Sequence, residues 1–315
     1  MLEVKGLSKS YANVPALSNI TFELGRGEVV ALLGANGSGK TTTIQSICRL
    51  INWEQGDILI NGESTQKSLH FQQHIGAVLG GCRNTNWRLT AKQNADYFAR
   101  LHGFSGSQVK ARIKYLHTQL GLDEHESKQV MKLSTGNKQK AALLCALSYA
   151  PELVLLDEPT LGLDFTTVSE LQRIIQQQAK EQQQSFLITS HDLGFIDKIC
   201  SRVIVLDHGE LLFQGSLKAL KDKLMAYELI LVLGKDDNTP MESSSHYKQM
   251  QKLWVGRYSQ QTSDNQWCIQ YESPKQSLPM LNYLHQQGIS PNQLTISTLS
   301  AERAYHTLVE QRVSL

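Results

Sequence analysis

Val29-Val30-Ala31-Leu32-Leu33 runs straight into Gly34-Ala35-Asn36-Gly37-Ser38-Gly39-Lys40-Thr41, and this junction constrains the chain more than any other stretch. The apolar run reads as a buried strand, and Thr41 to Leu50 reads as a helix. Between them lies G-x-x-x-x-G-K-[ST], whose glycines let the backbone curl until successive N–H groups point inward at an anion. The helix that follows adds its positive N-terminal end. Lys40 places a cation at the β- and γ-phosphates, and Thr41 offers a hydroxyl to Mg²⁺. The candidate phosphate-binding residues are therefore Gly34, Asn36, Gly37, Ser38, Gly39, Lys40, Thr41 and Thr42.

A second strand narrows the chemistry. Leu153-Val154-Leu155-Leu156 delivers Asp157 and Glu158 to the carboxyl edge of a sheet, where ligands of α/β folds bind. Asp157 is placed to hold Mg²⁺, directly or through water. Glu158, next to it, is free to orient or deprotonate an attacking water. Paired carboxylates can also cap a helix, but Pro159 disfavours a helix starting at Glu158.

Short apolar strands alternate with helical segments to about residue 215, including Asp57–Ile60 ahead of the turn pair Asn61-Gly62, Ser185–Thr189 and Val203–Leu206. Residues 90–150 are mostly helical in pattern, with glycine breaks at Gly103, Gly106, Gly121 and Gly136. Such alternation implies a mostly parallel sheet covered on both faces. The glutamine-rich stretch 176–184 keeps Leu171, Ile174, Ile175 and Ala179 at helical spacing and reads as the solvated face of a helix. Character changes after residue 224. Tyr227–Leu233, Trp254–Ser259, Trp267–Tyr271 and Gln293–Thr298 read as strands, Leu278–Gln287 and Ala301–Gln311 as helices, and Gly234–Ser245 as a loop. The organisation expected is a nucleotide-binding domain over 1–224 and a small α+β accessory domain over 225–315.

Composition removes several alternatives. With 31 basic against 29 acidic side chains the net charge is +2, without the basic excess of a nucleic-acid surface. Cys48, Cys82, Cys145, Cys200 and Cys268 lie far apart, without metal-ligand spacing, and read as reduced thiols. Met1-Leu2-Glu3-Val4-Lys5 has no signal-peptide pattern, and the apolar runs are strand-sized, short of the about 20 residues a spanning helix needs.

Further residues carry a family resemblance. Leu133-Ser134-Thr135-Gly136-Asn137-Lys138-Gln139 resembles the L-S-G-G-Q signature of ABC-transporter nucleotide-binding subunits. Pro159-Thr160-Leu161-Gly162-Leu163-Asp164 is similar to that family's D-loop, and Thr189-Ser190-His191-Asp192 to its switch histidine. Tyr11 matches the aromatic residue that stacks on adenine. These motifs stand in family order over residues 1 to about 220. The resemblance implies a P-loop ATPase core carrying an antiparallel β subdomain and a helical subdomain. It implies Mg²⁺-ATP as ligand, Glu158 and His191 as catalytic residues, and a head-to-tail pair of subunits, homodimer before heterodimer. ATP would be held between the phosphate loop of one copy and Ser134, Gly136 and Asn137 of the other. It also implies a separate multi-helix membrane permease and a peripheral place on the cytoplasmic face of the membrane.

The chain departs from the pattern at two positions, the milder being the signature's Ser134-Thr135-Gly136-Asn137, which keeps the serine and the second glycine. The family's glutamine after the strand Ile75-Gly76-Ala77-Val78-Leu79 is replaced by Gly80-Gly81-Cys82-Arg83-Asn84. That run, with Trp87-Arg88-Leu89-Thr90 and the closing Ile296–Tyr305 segment, resembles drug-resistance-type export ATPases. Export is accordingly the expected direction. Two other readings stay open: a non-transport ATPase of the family acting on ribosomes or DNA, and a subunit that binds ATP without turning it over.

Overall fold

Two long strands begin the fold, β1 (Leu2–Tyr11) and β2 (Val14–Leu24), joined through Ala12 and Asn13, both left-handed at φ 47° and 68°. Paired positive φ values match the twist of a hairpin. Then come β3 (Val29–Leu33), α1 (Lys40–Ile47), β4 (Gln55–Ile60) and β5 (Glu63–Ser64). The predicted turn is present: Asn61 and Gly62, at φ 52° and 82°, set Ile60 opposite Glu63. α1 stops short of Leu50, because Arg49 turns left-handed (φ 55°) after the cap residue Cys48. β2, β1, β4 and β5 form an antiparallel sheet in that order.

The computed structural model describes residues 1–67, 70–80, 85–190, 192–223, 227–232, 258–263, 266–271, 278–286 and 293–298. Continuing along the chain are β6 (Ile75–Val78), α2 (Ala91–Leu101), α3 (Ser107–Gln119), α4 (Thr135–Leu147), β7 (Leu153–Asp157), α5 (Phe165–Gln182), β8 (Ser185–Thr189), α6 (Leu193–Ile199), β9 (Arg202–Asp207), β10 (Glu210–Ser216) and α7 (Leu217–Lys223). The main sheet has six strands in the order β10-β9-β3-β8-β7-β6. All neighbours are parallel except β9 and β10. β3, β7 and β8 are buried at every residue, which explains their unbroken apolar runs.

α2, α3 and α4 pack on one another as the helical subdomain. Gly103, Gly106 and Gly121 are left-handed and break it as expected. Gly136 does not. It lies in the first turn of α4, which starts one residue earlier at Thr135 with Ser134 as its cap. Thr90 caps α2 through a reciprocal pair of hydrogen bonds with Gln93. The glutamine-rich segment is the end of α5, with Leu171, Ile174, Ile175 and Ala179 buried and Gln183 closing it at φ 52°. Leu2, Val4, Leu7, Phe22, Ile44, Ile47, Ile58 and Leu155 belong to one apolar cluster that ties the antiparallel sheet to the main sheet and α1.

The chain divides into two compact units, residues 1–217 and 218–315. The second contains β11 (Tyr227–Val232), β12 (Tyr258–Ser263), β13 (Gln266–Tyr271), α8 (Leu278–Gln286) and β14 (Gln293–Thr298). Its sheet is antiparallel, in the order β12-β13-β11-β14. Of the expected strand Trp254–Ser259, residues 254–257 lie outside the described residues, while Tyr258 and Ser259 belong to β12, which pairs with β13 (Ser263 opposite Gln266). The expected helix 301–311 and loop 234–245 lie outside the described residues. Among the described residues no helix is long and apolar enough to cross a membrane.

Candidate functional site

The carboxyl ends of β3, β7 and β8 meet at the glycine loop. Gly37 and Gly39 take φ 83° and 104°, a region an L side chain rarely adopts. Gly34 is glycine for a different reason. A Cβ there would run into the Ser38 side chain and stand 2.5 Å from the Leu206 carbonyl oxygen, which is backbone and cannot yield. Gly34→Ala is therefore expected to destabilise the fold by about 1–3 kcal/mol, the usual effect of overpacking, visible as a lower melting temperature. An unchanged melting temperature would show that the loop tolerates a side chain there.

Lys40 opens α1 and is buried. Its ammonium donates to the Gly34 carbonyl at 2.7 Å and the Ala35 carbonyl at 3.1 Å, so the side chain folds back over its own loop. Burial pushes its pKa below the ordinary lysine value, while the carboxylates of Glu158 and Asp157 act in the opposite direction. Lys40 is thus a cation held in a partly desolvated place, where its attraction for a phosphate is strengthened.

Asp157 ends β7, opposite Thr189 at the end of β8. Its Oδ1 accepts from the Thr189 hydroxyl at 2.7 Å, and its Oδ2 lies 3.5 Å from the Thr41 hydroxyl. Glu158 follows in a left-handed conformation (φ 51°), and its N–H is shared between the Thr189 carbonyl at 3.1 Å and the Thr189 hydroxyl at 3.0 Å. A cavity of about 220 Å³ is lined by Ala16, Asn36, Gly37, Gly39, Lys40, Thr41, Thr42, Asp157 and Glu158. A larger cavity of about 330 Å³, lined by Phe71, Phe98 and Tyr149 among others, holds none of the predicted site residues.

Most of the predicted residues thus converge. Gly34 and Ser38 support the loop from within. Tyr11 does not line the cavity. It sits at the end of β1, half-exposed, with the Lys9 ammonium 5.2 Å from its ring centre. Ser134, Gly136 and Asn137 form the start of α4, where the Ser134 hydroxyl accepts from the Asn137 N–H at 3.3 Å. They line a different surface from the Lys40 cavity. A Cβ on Gly136 would lie 3.1 Å from the Thr167 hydroxyl, which is itself fixed by Asp164 at the start of α5. His191 lies outside the described residues. Two residues of the site were not singled out from sequence. Ala16 carries no chemical signature. Thr189 was seen only as part of a strand and of the His191 motif.

The arrangement suits a magnesium-bound nucleotide polyphosphate. Gly34 and Gly39 let the loop pack closely against Leu206 and against Ala16 and Leu17, Lys40 offers the cation, and the Thr41 hydroxyl with the Asp157 carboxylate is a hard oxygen pair of the kind Mg²⁺ takes. Comparison with known proteins agrees. The sequence pattern described as "ABC transporter" matches residues 17–161. The chain is 36% identical over 217 residues to the ABC transporter ATP-binding protein NatA of Bacillus subtilis (strain 168), covering 69% of this chain and 88% of NatA. It is 33% identical to the SkfA peptide export ATP-binding protein SkfE of the same organism, covering 67% of this chain and 87% of SkfE. Among solved structures it is similar to the dimeric post-hydrolysis state of the ATP-binding cassette MJ0796 bound to ADP and Pi. That likeness has a TM-score of 0.63 and 25% identity, covering 69% of this chain and 98% of that one.

Proposed function

The chain belongs to the ATP-binding proteins of ABC transporters, ATPases that use ATP with Mg²⁺, and from that premise we propose that it drives export through a separate membrane permease. The observation that supports the ATP-hydrolysing part of the reading is the convergence of Lys40, Thr41, Asp157 and Glu158 on one cavity at the sheet's carboxyl edge. Lys40 and the N–H groups of residues 34–41 bind the phosphates. Thr41 and Asp157 hold Mg²⁺, which neutralises phosphate charge. Glu158 orients or deprotonates the attacking water. Tyr11 stacks on the adenine, and His191 contacts the γ-phosphate.

A second copy completes the site. Ser134, Gly136 and Asn137 line no part of the Lys40 cavity in their own chain, so they are assigned to the ATP of the partner. The exposed Leu161 (77%) and Phe165 (78%), on the segment after Glu158, are apolar surface that a second copy would cover. A homodimer is favoured over a heterodimer. ATP bridges the two copies, hydrolysis releases them, and the permease converts that cycle into alternating access.

Export is supported by the Val78–Thr90 run and by the likeness to SkfE, a peptide export ATP-binding protein. Residues 225–315 are read as an accessory α+β domain, and the place of work as the cytoplasmic face of the membrane, peripherally bound. The test is to tag the chain, extract native membranes gently and identify what stays bound. A multi-helix permease is expected, and vesicles containing both proteins should move cargo away from the ATP side. Ribosomes or nucleic acid in the permease's place would replace this reading with the non-transport one.

A further inference from the structure

Thr189 is fully buried at the end of β8, between the loop strand β3 and the carboxylate strand β7. A buried hydroxyl must find partners, and both of its partners belong to the site. The hydroxyl donates to Asp157 Oδ1 at 2.7 Å and accepts from the Glu158 N–H at 3.0 Å. One side chain therefore touches both carboxylate residues. The parallel register makes this possible, because Asp157 and Thr189 are direct partners across the pair and their side chains leave the same face.

The two bonds act on different things. The bond to Oδ1 fixes the rotation of the Asp157 carboxylate and leaves Oδ2 directed toward Thr41, 3.5 Å away. The bond from the Glu158 N–H, which that donor shares with the Thr189 carbonyl at 3.1 Å, helps hold a left-handed backbone (φ 51°) that is unfavourable for a residue with a Cβ. That backbone sets where the Glu158 side chain leaves the chain. Thr160 and Ser190 add a second tie between the same two loops, hydroxyl to hydroxyl at 3.3 Å, but reach neither carboxylate.

From this we infer that Thr189 is a positioning residue for the hydrolysis reaction, orienting Asp157 for the cation and Glu158 for the water through one hydroxyl. The inference rests on the roles given above to Asp157 and Glu158. It distinguishes two steps: Thr189 serves cation binding and turnover, whereas binding of the phosphates without a cation depends on Lys40 and the loop.

The test uses the purified full-length chain. Thr189→Val exchanges the hydroxyl for a methyl of nearly the same size. Turnover is expected to fall, and the Mg²⁺ concentration for half-maximal activity to rise, each by roughly 10–100-fold, the usual effect of losing a group that orients a metal ligand. ATP affinity measured in EDTA should stay unchanged. Thr189→Ser, which keeps the hydroxyl and loses only the methyl, should restore both values. A wild-type Mg²⁺ midpoint in the valine variant, or a midpoint raised in the serine variant as well, would overturn the inference. If the valine variant does not fold, the serine variant still decides it, since a raised midpoint there assigns Thr189 a packing role. Glu158→Gln assayed alongside separates the two levels. Wild-type turnover in Glu158→Gln removes the site reading itself, whereas an inactive Glu158→Gln beside a normal Thr189→Val removes only the positioning role.

Discussion

Glu158→Gln is expected to lower ATP turnover by about 10²–10⁴-fold, the range general-base catalysis supplies, while ATP still binds. Glutamine keeps the shape of the side chain, and the backbone anchor of Glu158 on the Thr189 carbonyl and hydroxyl is untouched. What disappears is a carboxylate able to take a proton from water. The lost charge also matters. Glu158 is the larger of the two carboxylate influences that favour the charged form of Lys40, and Asp157 remains to supply the other. A negative charge lining the cavity is removed at the same time, so affinity for ATP should hold or rise. The paired, ATP-bound state should accumulate. Phosphate release measured beside nucleotide binding and mass in solution separates these effects. Equal phosphate release from the variant and the wild type would remove Glu158 from the chemistry.

What the sequence made legible follows from which interactions are local. The loop Gly34–Thr41 could be read because its requirements are set within a few residues: positive φ at Gly37 and Gly39, a helix start at Lys40. The strand ending in Asp157 was equally plain, since burial on both faces leaves an unbroken apolar run. Thr189 escaped because its role arises only when β8 is set in register beside β7, a pairing between residues thirty-two positions apart. Ala16 escaped for a similar reason, since it borders the cavity only through the packing of β2 against the loop. Gly136 was misread as a break because its small size serves contact with Thr167 of α5, not a left-handed turn. In the second unit the far end of β12 was not legible, because Gln260–Ser263 is polar and its place comes from pairing with β13.

Removing the Lys40 side chain should have the other large effect, and on binding. In Lys40→Ala the loop loses its ammonium, while its backbone N–H groups remain. A hydrogen bond to a charged group contributes about 1.5–3 kcal/mol, which corresponds to roughly 10–150-fold in affinity. The upper end is expected here, because the ammonium is buried and its desolvation is already met in the folded protein by the Gly34 and Ala35 carbonyls and the nearby carboxylates. Without it, the phosphates would face Asp157 and Glu158 with no side-chain cation between them among the residues lining the cavity. Loss of tight Mg²⁺-ATP binding should therefore exceed the loss for Mg²⁺-ADP, which presents fewer charges. The melting temperature should fall as well, because the two carbonyls lose their donor. Titration with both nucleotides, each beside a melting curve, tests the argument. ATP affinity equal to wild type in a folded variant would mean that the backbone cradle alone binds the phosphates, and Lys40 would then be a support for its own loop.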